Sequence, residues 1–265
     1  MNADRTFWIG KDHNICEDFA LAEVDDTGIA YAIVSDGCSA SKEVDFGARI
    51  MAMSAKASLR MGGHELDPNG FGASVNCFAT RAVEVFPYLS KQCLDATLLA
   101  AWVKDGKVTV NMFGDGVFIH RMNTGVVNSV HIHLTSNAPD YLSYHLDPLR
   151  MQAYDKLVDN KKEVTIRMGT QGMVVKTTAL KPFEPYTLTV PVEAGDVLAV
   201  ISDGINSFRK SDYTPIPWEE LIDEFTGFKN FEGEFVLRRV SAFKRKCLKE
   251  GITHSDDISV AAIHI

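Results

Sequence analysis

The sequence predicts an α+β protein in which antiparallel sheets are covered by helices on their outer sides. Three observations carry that prediction. The elements run as strands, two helices, many strands, two helices and a last strand, which is not the strand–helix alternation of a parallel sheet. The strand candidates recur at hairpin spacing, separated by turns of Asp, Asn and Gly. Ile29–Val34 and Val197–Ile201 are continuously apolar, as strands buried on both faces are.

The chain opens with an entry strand and loop over Phe7–Cys16, then the acidic pair Glu17-Asp18 and a strand over Phe19–Val24. Asp25-Asp26-Thr27-Gly28 has hairpin-turn chemistry and leads into the strand Ile29–Ser35. From Val44 the period becomes helical. Phe46, Ile50, Met53, Ala57 and Met61 share one face, expected to be the buried one, and Gly62-Gly63 ends the helix. Ser74–Phe86 repeats the habit with Val75, Phe78, Ala82, Val85 and Phe86, until Pro87 stops it. These two helices are expected to cover one face of a sheet.

Four strands follow, Ala96–Val103, Val108–Phe113, Val117–Met122 and Val126–Leu134, with Gly114-Asp115-Gly116 between the middle two. Together they predict an antiparallel sheet. Thr135–Lys162 lacks periodicity and reads as a surface excursion rather than a core element. Glu163–Met168 and Met173–Thr178 predict a hairpin around Gly169 and Gly172. Strands at Thr187–Val190 and Val197–Ser202 flank the turn Ala194-Gly195-Asp196. Trp218–Phe225 is a short helix. Phe231–Glu250 is a longer one, with Val236, Val240, Phe243 and Cys247 on its apolar face and a basic solvated face opposite. His254-Ser255-Asp256-Asp257 precedes the last strand, Ile258–Ile265. No repeat or linker divides the 265 residues, so a single domain over 1–265 is expected.

Composition sets limits. The chain is 46% hydrophobic, enough for a sizeable core, and its net charge of −8 argues against nucleic acid as a partner. Its five cysteines are odd in number and form no CxxC pair, so a disulfide framework or structural zinc site is not expected. The N-terminus lacks a signal-peptide pattern, and no apolar run approaches the ~20 residues that span a bilayer. The expectation is a soluble, cytoplasmic protein with no membrane partner.

Acidic motifs fall at strand ends and turns: Glu17-Asp18, Asp36-Gly37, Asp115, Asp203-Gly204 and Asp256-Asp257. Singly, an Asp-Gly reads as a turn. Together, with Asp36 and Asp203 each ending a buried apolar strand, they read better as carboxylates converging on a hard divalent cation, which prefers oxygen ligands. Cys16 and Cys38 lie close to these motifs in sequence. They read as small packing residues ahead of redox-sensitive thiols.

In this order the motifs resemble the metal-dependent serine/threonine protein phosphatases, the PPM or type 2C family, and most of all its bacterial branch. The likeness rests on Glu17-Asp18, Val34-Ser35-Asp36-Gly37, Phe46-Gly47-Ala48-Arg49, Gly114-Asp115-Gly116, Ser202-Asp203-Gly204 and Asp256-Asp257-Ile258, and it spans about residues 7–265. The resemblance implies a four-layer α-β-β-α sandwich of two antiparallel sheets flanked by helix pairs. It implies hydrolysis of phosphoserine and phosphothreonine in proteins by a water activated between two Mg²⁺ or Mn²⁺ ions. Asp36 would bridge the ions, with Gly37 contributing its carbonyl. Asp203 and Asp256 would hold one ion, Glu17 and Asp18 would act on the other, and Asp115 would help form a third, weaker site. The partners implied are a phosphorylated protein and a cognate serine/threonine kinase.

Two departures stand out. His13 stands where many members carry a phosphate-binding Arg, and Cys38 where many carry a His. His13 is therefore the candidate for phosphate binding or protonation of the leaving group, the alternative being a backbone hydrogen bond without chemistry. Thr135–Lys162 is the candidate substrate-selecting flap, and Asn137 in it a candidate substrate contact. The competing readings are a pseudophosphatase, which keeps the fold as a binding module, and a hydrolase of small phosphate esters.

Overall fold

The structure, a computed structural model, describes residues 1–136, 138–157, 161–169 and 173–265. In chain order its strands are β1 (Asn2–Trp8), β2 (Asp18–Val24), β3 (Ala30–Asp36), β4 (Leu98–Lys104), β5 (Lys107–Phe113), β6 (Gly116–Arg121), β7 (Val127–Leu134), β8 (Lys162–Met168), β9 (Met173–Leu180), β10 (Tyr186–Pro191), β11 (Val197–Ile201), β12 (Phe208–Arg209), β13 (Thr253–His254) and β14 (Ile258–His264). The α-helices are α1 (Val44–Arg60), α2 (Pro68–Glu84), α3 (Pro148–Leu157), α4 (Trp218–Thr226) and α5 (Phe235–Glu250).

Two antiparallel sheets form the centre, one ordered β1-β14-β11-β6-β7-β8-β9 and the other β10-β5-β4-β3-β2. β12 and β13 make a small separate pair. The period-2 alternation of the central strands explains the layering. In β3, Ala30, Ala32 and Val34 face the inter-sheet core, while Tyr31 and Ile33 pack under α1 and α2. In β11, Leu198 and Val200 face inward, while Ala199 and Ile201 pack under α4 and α5. A strand buried on both faces has no polar side to show, which is why these segments read as unbroken apolar runs. The predicted α-β-β-α sandwich is thus the observed fold.

Local chemistry sets several boundaries. Asp67 caps α2 by accepting the Gly70 N–H at 2.7 Å, with Pro68 in the first turn. Asp4 of β1 accepts the Val236 and Leu237 N–H groups at 2.6 and 3.2 Å, which ties the start of α5 to an edge strand.

Several expectations need correction. The entry strand begins at Asn2, ahead of Phe7. The four strands after α2 do not form one sheet: β4 and β5 pair in the five-stranded sheet, and β6 and β7 in the seven-stranded one. The chain changes sheets at Gly114 (φ +91°), where a Cβ would lie 2.8 Å from the Thr97 side chain. β10 and β11, flanking Gly195, likewise lie in different sheets.

The expected apolar stripe of α1 is also reversed, and that of α2 is buried at Val75 but not at its C-terminal end. Phe46 and Met53 are each 51% exposed, and Val85 and Phe86 are exposed as well. The buried face of α1 is Gly47, Ala48, Met51, Ala52 and Ala55, and that of α2 is Phe71, Gly72, Val75 and Ala79. Small residues let a helix backbone approach the sheet closely, so this face packs best although the other looks more hydrophobic. The basic-faced α5 does bury Val236, Val240, Phe243 and Cys247.

The excursion is not merely a surface loop. It contains a 3₁₀ turn at Leu142–Leu146 and α3, and it buries Asp140, Tyr141, Leu142 and Ser143. Lys162, at the start of β8, is buried against both Asp140 oxygens at 3.1 Å. That pair, and the Phe183 N–H bonded to Asp140, fasten the base of the excursion to the sandwich. Asn137 and Gly172 lie outside the described residues. No helix among the described residues is long and apolar enough to cross a membrane.

Candidate metal centre

Strand pairing brings the acidic motifs together at one edge of the sandwich. Asp18 and Asp36 are direct partners in the β2–β3 register. Like charges directly opposite on neighbouring strands are destabilising, so this pair demands a reason. Asp203 follows β11 and Asp256 precedes β14, the next strand in the same sheet. Asp115 sits at the crossing from β5 to β6.

Ser202 ties the two sheets at this point. Its Oγ donates to Asp18 Oδ2 at 2.6 Å and accepts the Ser259 N–H at 2.9 Å. Gly204 permits close approach from the other side: a Cβ there would lie 1.7 Å from the Asp257 carbonyl. Asp36 lies close enough to both Asp18 and Asp203 for each charge to act on it, so it is the carboxyl that faces two others.

The electrostatics follow from that crowding. Burial, then the charges of Asp18 and Asp203, hold the Asp36 carboxyl well above the usual carboxylate range. Burial raises Asp18 and Asp203, and burial with the Asp203 charge raises Asp115. Asp256, at the rim with 43% of its side chain exposed, is pushed up to about 6 by burial and then by Asp203. Oδ1 of Asp18, Asp115 and Asp203 is buried in each case without a hydrogen-bond partner. Among the described residues no three His, Cys, Asp or Glu side chains are arranged to hold a single ion. The donor set nevertheless suits hard divalent cations: all carboxylate oxygen, several oxygens unsatisfied, and a charge that a cation would neutralise.

Glu17 points its carboxylate to Ser39 Oγ at 2.6 Å, and its backbone carbonyl accepts the Gly37 N–H at 3.2 Å. His13 sits beside this group, with Nδ1 3.0 Å from Asp257 Oδ2 and Nε2 3.5 Å from Asp256 Oδ1. Burial alone would lower its pKa, but Asp257, Asp256 and Glu17 together raise it. The groups that face the His13 ring are thus carboxylates, although its Nδ1 makes no hydrogen bond.

Sequence reasoning missed three groups. Asp257 is the buried member of its pair and pins the first loop by accepting the Gly10 and Glu17 N–H groups at 2.7 and 2.6 Å. Tyr141, from the excursion, is buried beside Cys38, near Asp36 and Asp115. Asp95 is a buried hub. It accepts from Ser41 at 3.0 Å, from Ser143 at 2.8 Å and from both Arg150 terminal nitrogens at 3.1 and 2.6 Å, and its carbonyl accepts the Cys38 N–H. Only the Asp-Asp doublet before the last strand carried a signal for any of them. Cys16 is half-buried, and burial and the Asp18 charge push its thiol up to about 12, away from the reactive thiolate.

Comparison with known proteins gives a consistent picture. Residues 10–240 match the family model described as Protein phosphatase 2C. No curated protein sequence matches the chain. Among solved structures, the chain is similar to the PPM Ser-Thr phosphatase MsPP from Mycobacterium smegmatis in complex with cacodylate. The identity is 16%, covering 100% of this chain and 98% of that one, at a TM-score of 0.56. It is also similar to PppA, a regulatory component of T6SS in Pseudomonas aeruginosa, at 17% identity, 100% and 98% coverage and a TM-score of 0.54. RsbX in complex with magnesium is similar at 12% identity, 98% and 92% coverage and a TM-score of 0.51.

Proposed function

The chain belongs to the protein phosphatase 2C family, and from that premise we propose that it hydrolyses phosphoserine and phosphothreonine in proteins with the help of Mg²⁺ or Mn²⁺. The observation that carries this reading is the Asp18–Asp36–Asp203 cluster, where buried carboxyls crowd together with unsatisfied oxygens. A protein keeps such a cluster, at a cost in stability, where a cation offsets it.

In this reading Asp36 and the Gly37 carbonyl would contribute to holding both ions. Asp203 and Asp256 would hold one ion, Glu17 and Asp18 would act on the other, and Asp115 would serve a third site. When bound, such ions would acidify a water and offset charge on the phosphoryl oxygens. Burial works against the charged ring, but the carboxylates around His13 raise its pKa above the usual value, which favours its protonated form. From Nε2 it donates to a phosphoryl oxygen or to the departing alkoxide of the substrate side chain. The domain is the whole of 1–265, and the excursion 135–162, Asn137 included, selects the phosphoprotein. The excursion's hold on the Cys38–Ser41 loop through Asp95 supports that assignment. The partners are a phosphoprotein and a cognate kinase, and the site of action is the cytoplasm.

The pseudophosphatase reading is favoured by one observation: Cys38 stands in place of the usual His, with the buried Tyr141 beside it. Hydrolysis of a phosphothreonine peptide with Mn²⁺, by the natural chain and by Asp36→Asn, decides between the two. The enzyme reading expects turnover that chelator and the substitution each abolish. Metal binding without turnover would overturn it in favour of the binding module.

A further inference from the structure

The seven-stranded sheet is wider than the five-stranded sheet that faces it. β14 lies over β2 and β3, and β11 over β3 and β4, so β8 and β9 extend beyond the edge strand β10. β9 is exposed along nearly its whole length. The inter-sheet core therefore does not close at this end. Ile166, Tyr186, Leu188 and Val190 pack against it but stay partly open.

Between the sheets at this overhang lies a cavity of about 490 Å³, walled by Phe118, Val130 and Ile166 on one side and Tyr186, Leu188 and Val190 on the other. It is remote from the acidic edge, and none of the carboxylates described above lines it. Its wall is almost wholly apolar. Its one histidine, His120, already has Nε2 2.7 Å from Asp196 Oδ2. Lys176 on β9 is its single fully charged lining residue, in a protein whose net charge is −8. A largely apolar chamber of this size with a few polar groups in its wall, His120, Asn128, Ser129 and Lys176, has the character of a small-molecule site.

We propose that this cavity binds a small anionic amphiphile, its apolar body between the two sheets and its anionic head on the Lys176 ammonium. The volume suits a body of about a dozen non-hydrogen atoms. The apolar walls supply affinity through burial, and Lys176 sets the preference for a negative head over a neutral one.

Decanoate and 1-decanol, which share one chain and differ in head charge, serve as probes in calorimetric titration of the full chain. The expected result is one saturable site for each. Lys176→Glu, at an exposed strand position, should weaken decanoate roughly fivefold and leave decanol unchanged. Leu188→Trp should abolish both by filling the chamber. Because that substitution can disturb folding, Lys176→Glu is the deciding variant. Failure of decanoate to bind, or equal loss of both probes in Lys176→Glu, would overturn the proposal. So would sedimentation showing the overhang closed by a second copy of the chain that decanoate does not displace.

Discussion

A carboxyl at Asp36 experiences its neighbours more strongly than its solvent. It is buried, it faces Asp18 across a strand pair and Asp203 from the other sheet, and its proton affinity is raised accordingly. A carboxyl whose folded pKa lies above its unfolded value contributes no penalty below the unfolded value, near 3.8. The penalty grows as pH rises from there through the folded pKa. Without divalent ions, Asp36→Asn should therefore stabilise the chain at pH 7.5 by about 1–3 kcal/mol, read as a midpoint rise of several degrees. At pH 4 the gain should shrink toward nothing. Scanning calorimetry at both pH values with chelator present checks this. At Gly204, where a Cβ would overlap the Asp257 carbonyl, Ala should displace the segment that carries Asp256 and sharply lower Mn²⁺ affinity. How much of the site was legible divides along the same line. Asp36 and Asp203 were readable because an Asp ending a buried strand conflicts with its surroundings. In Asp256-Asp257, nothing in the sequence tells which carboxylate turns to the rim and which is buried on backbone N–H groups. Asp95 and Tyr141 gather partners from distant segments, so no local pattern could mark them.

Among the elements, α1 gives the clearest lesson. Helical periodicity was read correctly and its phase was not, because two candidate faces compete. One is rich in Phe and Met, the other in Ala and Gly, and close packing on the sheet selects the second. Met53→Ser, on the exposed stripe, should change stability by no more than about 0.5 kcal/mol, whereas Ala48→Leu should cost about 1–3 kcal/mol by overpacking. Urea denaturation of the two variants measures the difference. The excursion makes the complementary point. Its lack of periodicity suggested a loop, yet Asp95 and Arg150 join it to the loop after β3, and Arg150 also lies over the Tyr144 ring at 4.4 Å. Arg150→Ala leaves the buried Asp95 carboxylate without its cation and should cost about 1–3 kcal/mol. It should also make 135–162 a preferred site of limited proteolysis.

At the scale of the whole molecule, acid and base sensitivity arise from opposite ends of the titration range. His254 is stacked on Phe208 and met by a tilted Trp8 ring, with centroids 4.9 and 3.9 Å away, and burial lowers its pKa to about 4. His131, stacked on Trp218, is lowered to about 4 by burial as well. A histidine lowered in the folded state stabilises the fold above its unfolded pKa of 6.5, and that contribution is lost as pH falls toward 4. Replacing His254 with Phe should thus remove about 2–3 kcal/mol of the stability change between pH 6.5 and 4. The overall architecture was legible because two strands buried on both faces require a layer on each side. The division of strands between the sheets was not, because a hairpin and a crossing between sheets use the same Asp and Gly turn residues. The central claim is that the acidic edge is a two-ion site joined by Asp36, and calorimetric titration with Mn²⁺ at pH 7.5 tests it most directly. The account predicts two ions bound by the natural chain and at most one by Asp36→Asn, with phosphothreonine-peptide hydrolysis lost in step. Equal stoichiometry in both proteins, or no binding by the natural chain, would contradict it.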